Sequence, residues 1–167
     1  MQSIQTVSEN TIYVGASDRR LAKFENLFPI PRGVSYNAYV ILDEKTALLD
    51  TADASVGAQF LENVAAALNG RKLDYLIVDH MEPDHAAMIE AVLVRWPDLR
   101  LVVNAKTLPM LKMYFPTDSA AIDDALVVKE GDTLDLGKHK LTFVMAPMVH
   151  WPEVMMTFDT TTGTLFS

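Results

Sequence analysis

Four metal-capable side chains fall in one six-residue window, His80-Met81-Glu82-Pro83-Asp84-His85. Imidazole beside carboxylate suits iron, zinc or manganese, whereas calcium and magnesium favour oxygen-only sites. Pro83 stiffens the turn. A density of two His and two acids points to metal ligation; a solvated polar turn is the alternative reading. A third imidazole, His150, lies in Ala146-Pro147-Met148-Val149-His150-Trp151-Pro152-Glu153. Taken alone, a His beside a Trp is more often packed or capped than ligating. With His80 and Glu82 it makes two imidazoles and one carboxylate, the facial set of oxygen-activating non-heme iron. Asp84 and His85 then remain for a second metal close by. His139, between Lys138 and Lys140, reads as an exposed turn residue. Asp50 and Asp53 follow an early strand and read as a strand-end turn, with Asp53 capping the first helix.

Ligands so distant in sequence have to be delivered by strand ends, where sheet proteins place their sites. Leu73 to Val78 is a continuous apolar run closing on Asp79-His80, the pattern of a buried central strand. Leu141 to Ala146 reads as the strand that leads to His150. Around these, Val7 to Gly15 reads as a strand, and Tyr36 to Leu42 with Thr46 to Asp50 as a hairpin. Val56, Phe60, Val64 and Leu68 recur every four residues, one apolar stripe on a helix that Gly70 stops. A second helix covers Ala86 to Arg95 and ends before Pro97. Leu101 to Val103 is another buried strand, and Thr107 caps a short helix reaching Tyr114. Strands then follow at Ala125 to Lys129, Thr133 to Leu136, Val154 to Phe158 and Thr164 to Phe166, with a hairpin turn at Asp159 to Gly163. Ala16 to Pro31 shows no clear periodicity. Strand–helix alternation between terminal hairpins means a mixed α/β sheet layered with helices.

The 167 residues and 18.5 kDa suffice for one domain with one core, and a hydrophobic fraction of 50% can fill it. A net charge of -8, with only 14 Lys and Arg and no basic run, excludes a nucleic-acid partner. The absence of cysteine excludes disulfides, thiolate metal sites and thiol nucleophiles within the chain. No apolar run is long enough to span a membrane, and Met1 to Gln5 has neither a basic nor an apolar leader segment. A soluble, cytoplasmic domain is the expectation.

The H-x-E-x-D-H pattern of His80 to His85 resembles the metal motif of the flavodiiron proteins, A-type flavoproteins built on a metallo-β-lactamase-like domain. Hydrolases of that superfamily usually carry a histidine where Glu82 stands, and that exchange marks the diiron redox branch. Pro31-Arg32-Gly33 with Tyr36-Asn37-Ala38-Tyr39, Ala47-Leu48-Leu49-Asp50-Thr51, and Ala146-Pro147-Met148 with His150-Trp151-Pro152 resemble the same family in the same order. The resemblance implies an αββα sandwich of which residues 1–167 form the N-terminal portion. It implies that His80, Glu82 and His150 hold one iron and that Asp84, with His85 in some members, holds the other. A bridging aspartate, a last histidine ligand, the closing half of the sandwich and a flavodoxin-like FMN domain are expected beyond Ser167.

The implied activity of the intact parent is reduction of O2 to water or of NO to N2O at two irons. Electrons would come through FMN from rubredoxin or a similar donor. The parent is expected to be a homo-oligomer, a head-to-tail dimer, with the remainder of the protein or a second chain completing the site. Residues 1–167 alone are expected to bind iron weakly, to expose apolar surface and to lack reductase activity. Trp151, Tyr36 and Phe24 read as core residues or as walls of the metal pocket. Two alternatives stand beside this reading: a zinc hydrolase of the same fold using metal-bound hydroxide, and a non-catalytic remnant.

Overall fold

The computed structural model describes residues 3–24 and 26–167. Met1 and Gln2, on which the reading of the N-terminus partly rests, lie outside the described residues. The chain runs through β1 (Gln5–Ser8), β2 (Thr11–Tyr13), β3 (Ala16–Asp18), β4 (Lys23–Phe24), β5 (Phe28–Pro29), β6 (Val34–Tyr36), β7 (Tyr39–Leu42) and β8 (Thr46–Leu49). A 3₁₀ turn at Ala54–Val56 leads into α1 (Gly57–Leu68), followed by β9 (Tyr75–Ile77), α2 (Pro83–Ala86), α3 (Ile89–Arg95) and β10 (Arg100–Asn104). Then come α4 (Thr107–Tyr114), α5 (Ser119–Asp123), β11 (Leu126–Val128), β12 (Thr133–Asp135), β13 (Lys140–Met145), β14 (Met155–Asp159) and β15 (Thr164–Phe166).

Seven strands form one mixed sheet in the order β1-β2-β7-β8-β9-β10-β11, and β12-β13-β14-β15 form an antiparallel second sheet. β8, β9, β10 and β11 pair in parallel, with Leu49 opposite Ile77 and Ile77 opposite Val102. Parallel pairing demands crossovers, and α1 and α3 supply two of them. Side chains alternate across the first sheet with period two. Val40, Leu48, Leu76, Leu101 and Val103 face the helices and pack with Phe60, Val64, Val92 and Leu111. Ile41, Ala47, Leu49, Ile77 and Val102 face the second sheet and meet Leu141, Phe143, Met155 and Phe166. The result is three layers, helices on sheet on sheet. Full burial of a side chain such as Phe60 or Phe143 contributes roughly 1.5–3 kcal/mol.

Several local readings need correction. Residues 7–15 are not one strand: β1 and β2 pair antiparallel about Asn10, whose φ is 59°. The second helix begins earlier than Ala86, at Pro83, and is interrupted at Ala87-Met88 before α3. Thr107 does not cap α4. Asn104 Oδ1 accepts the backbone N–H groups of Lys106 and Thr107 instead, at 2.8 and 3.1 Å. The residue that ends α1 in the left-handed region is Asn69, with Gly70 also at positive φ. The aperiodic stretch 16–31 contains β3, β4 and β5, strands too short to carry a period.

His139 is the largest correction, because it is buried between exposed Lys138 and Lys140. Strand alternation at the start of β13 turns the two lysines outward and the imidazole inward. Its Nδ1 pairs with Asp159 Oδ2 at 2.8 Å, and its backbone N–H donates to Asp43 Oδ2 at 2.6 Å. Burial raises the pKa of Asp159, but hydrogen bonds from Thr162, His139 and Thr161 outweigh it and hold the carboxyl below its ordinary value.

Candidate metal centre

β9 delivers the window. Val78 N–H donates to Val102 O at 3.0 Å, which carries the pairing one residue past the strand before the chain leaves the sheet. Glu82 then takes the N-cap position of α2 with extended backbone, and Pro83 sits at the first helical position, where its missing N–H costs nothing. This turn points His80 and Glu82 into the interior, where both are buried. His150 comes from the loop between β13 and β14, closed by Met148 N–H to Trp151 O and Ala146 N–H to Val154 O. Its ring is exposed, yet its tip reaches Glu82.

His80, Glu82 and His150 converge. Glu82 Oε2 lies 3.0 Å from His80 Nε2 and 2.8 Å from His150 Nε2. One ligand atom from each of the three lies within 4.8 Å of the others, a spacing that one cation can bridge. His85 stacks edge-on against His80 with centroids 5.1 Å apart, and its Nε2 lies 3.7 Å from Asp84 Oδ2. Asp84 Oδ1 is buried with no hydrogen-bond partner, as a carboxylate oxygen awaiting a cation would be. The five residues singled out in the sequence thus stand together, three in one cluster and Asp84 with His85 beside it.

Two carboxylates set the imidazoles from behind. Glu153 Oε1 lies 2.8 Å from His80 Nδ1 and also accepts the backbone N–H of Met81. Asp50 Oδ2 lies 2.7 Å from His85 Nδ1, while its Oδ1 accepts the backbone N–H of Asp79. In each imidazole Nδ1 is engaged and Nε2 is left for the pocket, the arrangement that orients a metal-ligating histidine. Burial pulls the pKa of His85 down, but the Asp50 hydrogen bond and the charges of Asp50, Asp84 and Asp79 carry it up to about 9. Burial pushes Asp84 above its ordinary value and Asp79 well above it. An acid-rich pocket with this donor set fits one or two divalent transition metals.

Asp50 is therefore more than a turn residue, although its φ of 54° does make the turn. Asp53 caps the 3₁₀ turn that leads into the first helix, accepting the Ser55 N–H at 2.8 Å, and not α1 itself, whose N-cap position is Val56. Glu153 and Asp79 escaped the sequence reading. Their only signal was adjacency, Asp79 to His80 and Glu153 to the His150-Trp151-Pro152 run. Trp151 packs edge-on against His80 with centroids 5.2 Å apart and walls a cavity of about 270 Å³ with Met81, Pro83, Ala86, Ala87, Tyr114 and Phe115. Tyr36 lies in the core, Phe24 packs half-buried against it, and neither lines this cavity.

Residues 34–167 match the ODP family beta lactamase. The chain belongs to that family. This ODP-family chain is 38% identical to a putative diflavin flavoprotein A 1 from Thermosynechococcus vestitus, covering 96% of the chain and 28% of the relative. It is 36% identical to a nitric oxide reductase from Moorella thermoacetica, covering 91% of the chain and 38% of the relative. Among solved structures, the flavodiiron protein from Giardia intestinalis superposes with a TM-score of 0.89 at 26% identity, over 100% of this chain and 40% of that one. The rubredoxin oxygen:oxidoreductase from Desulfovibrio gigas superposes at 0.87 with 30% identity, over 94% and 38%. The chain spans between about a quarter and two fifths of the length of these four proteins. The fold is that of the flavodiiron metallo-β-lactamase-like cores, and the family resemblance read from the motifs holds. Among the described residues no helix is long and apolar enough to cross a membrane.

Proposed function

We propose that this chain is the metal-binding part of a flavodiiron reductase of O2, NO or both. The observation that carries the reading is the meeting of His80 Nε2, Glu82 Oε2 and His150 Nε2 within 4.8 Å, with Asp84 and His85 beside them. His80, Glu82 and His150 would hold one iron, and Asp84 with His85 would contribute to the second. Residues 1–167 are read as the N-terminal portion of the sandwich, with its remaining ligands supplied by the rest of the protein or by a second chain. When bound, iron would supply Lewis-acid and one-electron chemistry toward the diatomic substrate.

The residues present give that chemistry its setting. Glu82 brings negative charge between two imidazoles, which favours iron over a neutral three-histidine set. Trp151, Met81, Pro83 and Phe115 make an apolar wall on one side of the ligands, while His150 closes the cluster from the exposed side. Asp50 and Glu153 hold the rings of His85 and His80 in place without reaching the substrate side. Electrons would arrive through FMN on a flavodoxin-like domain, fed by rubredoxin or a similar donor. We further propose a cytoplasmic homo-oligomer, a head-to-tail dimer.

The test is to purify the protein anaerobically with ferrous iron and measure iron and zinc content together with NO and O2 consumption under an FMN-coupled reductant. Iron retained through His80, Glu82 and His150, with turnover in the flavin-containing protein, is the expected result. Zinc alone with hydrolytic activity would convert the reading to a hydrolase. Failure to retain any metal would make this a non-catalytic member of the fold.

A further inference from the structure

Resting on the metal reading above, we infer that Glu153 is a positioning residue, a buried counter-charge that fixes His80 and that a cation at His80 stabilises in return. Glu153 is 1% exposed. Two donors, His80 Nδ1 at 2.8 Å and Met81 N–H at 3.0 Å, converge on its Oε1. Its Oε2 is buried with no hydrogen-bond partner. Among the described residues the one ionisable group paired with it is His80. A buried carboxylate with an unsatisfied oxygen and no cationic partner is costly. That cost falls when His80 is polarised by a positive charge on its other nitrogen, because the Nδ1–H then becomes a stronger donor.

The main chain at Glu153 is anchored without its carboxylate. Asn104 Nδ2 donates to Glu153 O at 2.5 Å, and Lys106 Nζ donates to Pro152 O at 3.1 Å. Asn104 is itself fixed, since its Oδ1 accepts the N–H groups that open α4. A change confined to the Glu153 side chain therefore leaves the loop that carries His150 tied to β10 and α4. It acts on the ligand window through His80 Nδ1 and the Met81 N–H.

The experiment titrates cobalt(II) into the metal-free protein and compares wild type, Glu153→Gln and Glu153→Ala by affinity, ligand-field absorption and cobalt-induced rise in melting temperature. Glu153→Ala is expected to weaken binding about 10–100-fold and to alter the absorption bands. Glu153→Gln keeps an oxygen for both donors but removes the charge, so its affinity should fall between the two. A merely structural role would lower the metal-free melting temperature while leaving the absorption bands and the cobalt affinity of the folded variants equal to those of wild type. Wild type and Glu153→Gln binding cobalt with the same affinity, bands and melting rise would overturn the inference, even if Glu153→Ala does not fold. A wild type that binds no cobalt would overturn the metal reading and this inference with it. The wild-type titration separates that failure from the first.

Discussion

Asp50 and His85 are joined by a 2.7 Å contact between Oδ2 and Nδ1, and the other oxygen of the same carboxylate holds the backbone N–H of Asp79. The end of β8 thus grips both the window following β9 and the imidazole on α2. Thr51 reinforces the grip, because its hydroxyl donates to His85 O at 2.6 Å. Replacing Asp50 with Ala should leave His85 free to rotate and weaken metal binding beside Asp84 about 10–100-fold. Binding at His80 and His150 should change less. Two-site cobalt titration with ligand-field absorption distinguishes these sites, and equal loss at both would assign Asp50 a general structural role.

Glu82→Ala makes a sharper case. Glu82 Oε2 is the atom that both His80 and His150 approach, and His150 is otherwise an exposed loop residue. Without the carboxylate, two imidazoles face one another with no negative charge between them. Metal at that cluster should be lost to below one tenth of wild-type occupancy, while the melting temperature of the metal-free protein should hold or rise. Elemental analysis after gel filtration measures the first, and a thermal melt the second.

The elements that hold these residues were legible where the pattern was long or strongly apolar. The stripe Val56, Phe60, Val64, Leu68 runs from the last residue of the 3₁₀ turn to the end of α1, and all four are buried. The run Leu73 to Val78 reads as central because β9 is covered on both faces, by helices and by the second sheet. Short elements are different: β3, β4 and β5 are two or three residues long and depend on partners rather than on their own sequence. The ligands were legible because metal chemistry restricts residue type. Glu153 and His139 were not, since a buried acid or imidazole looks like a surface one until strand alternation and distant partners are known. Asp43 and His139, which share a hydrogen bond, stand 96 residues apart.

Phe143 tests the packing between the sheets. It is 0% exposed and lies on β13 among Leu141, Met155 and residues of the first sheet. Phe143→Ala removes a large ring from a position that backbone pairing on both sides keeps from collapsing. The cost should be about 3–5 kcal/mol. A urea midpoint shifted by less than the equivalent of about 1 kcal/mol would mean that the second sheet is loosely packed on the first.

The buried pair of His139 and Asp159 contributes to the acid response of the fold. The Asp159 carboxyl is held below its ordinary value of 3.8 in the folded protein. A depressed folded pKa means that the unfolded chain binds the proton first, so unfolding takes up protons as pH falls. The stabilisation from Asp159 is therefore complete above the unfolded value and is lost as pH drops through the lower, folded value. Asp43 is depressed as well: burial raises its pKa, but backbone N–H groups of His139 and Glu44 outweigh that, so it adds to the same slope. Asp159→Asn cannot ionise and should show lower stability at neutral pH with a flatter decline below pH 4. Urea unfolding of both proteins between pH 3 and 7 measures the difference. Two curves that stay parallel below pH 4 would show that Asp159 carries no depressed pKa, and that the β13–β14–β15 hairpins are held by other contacts.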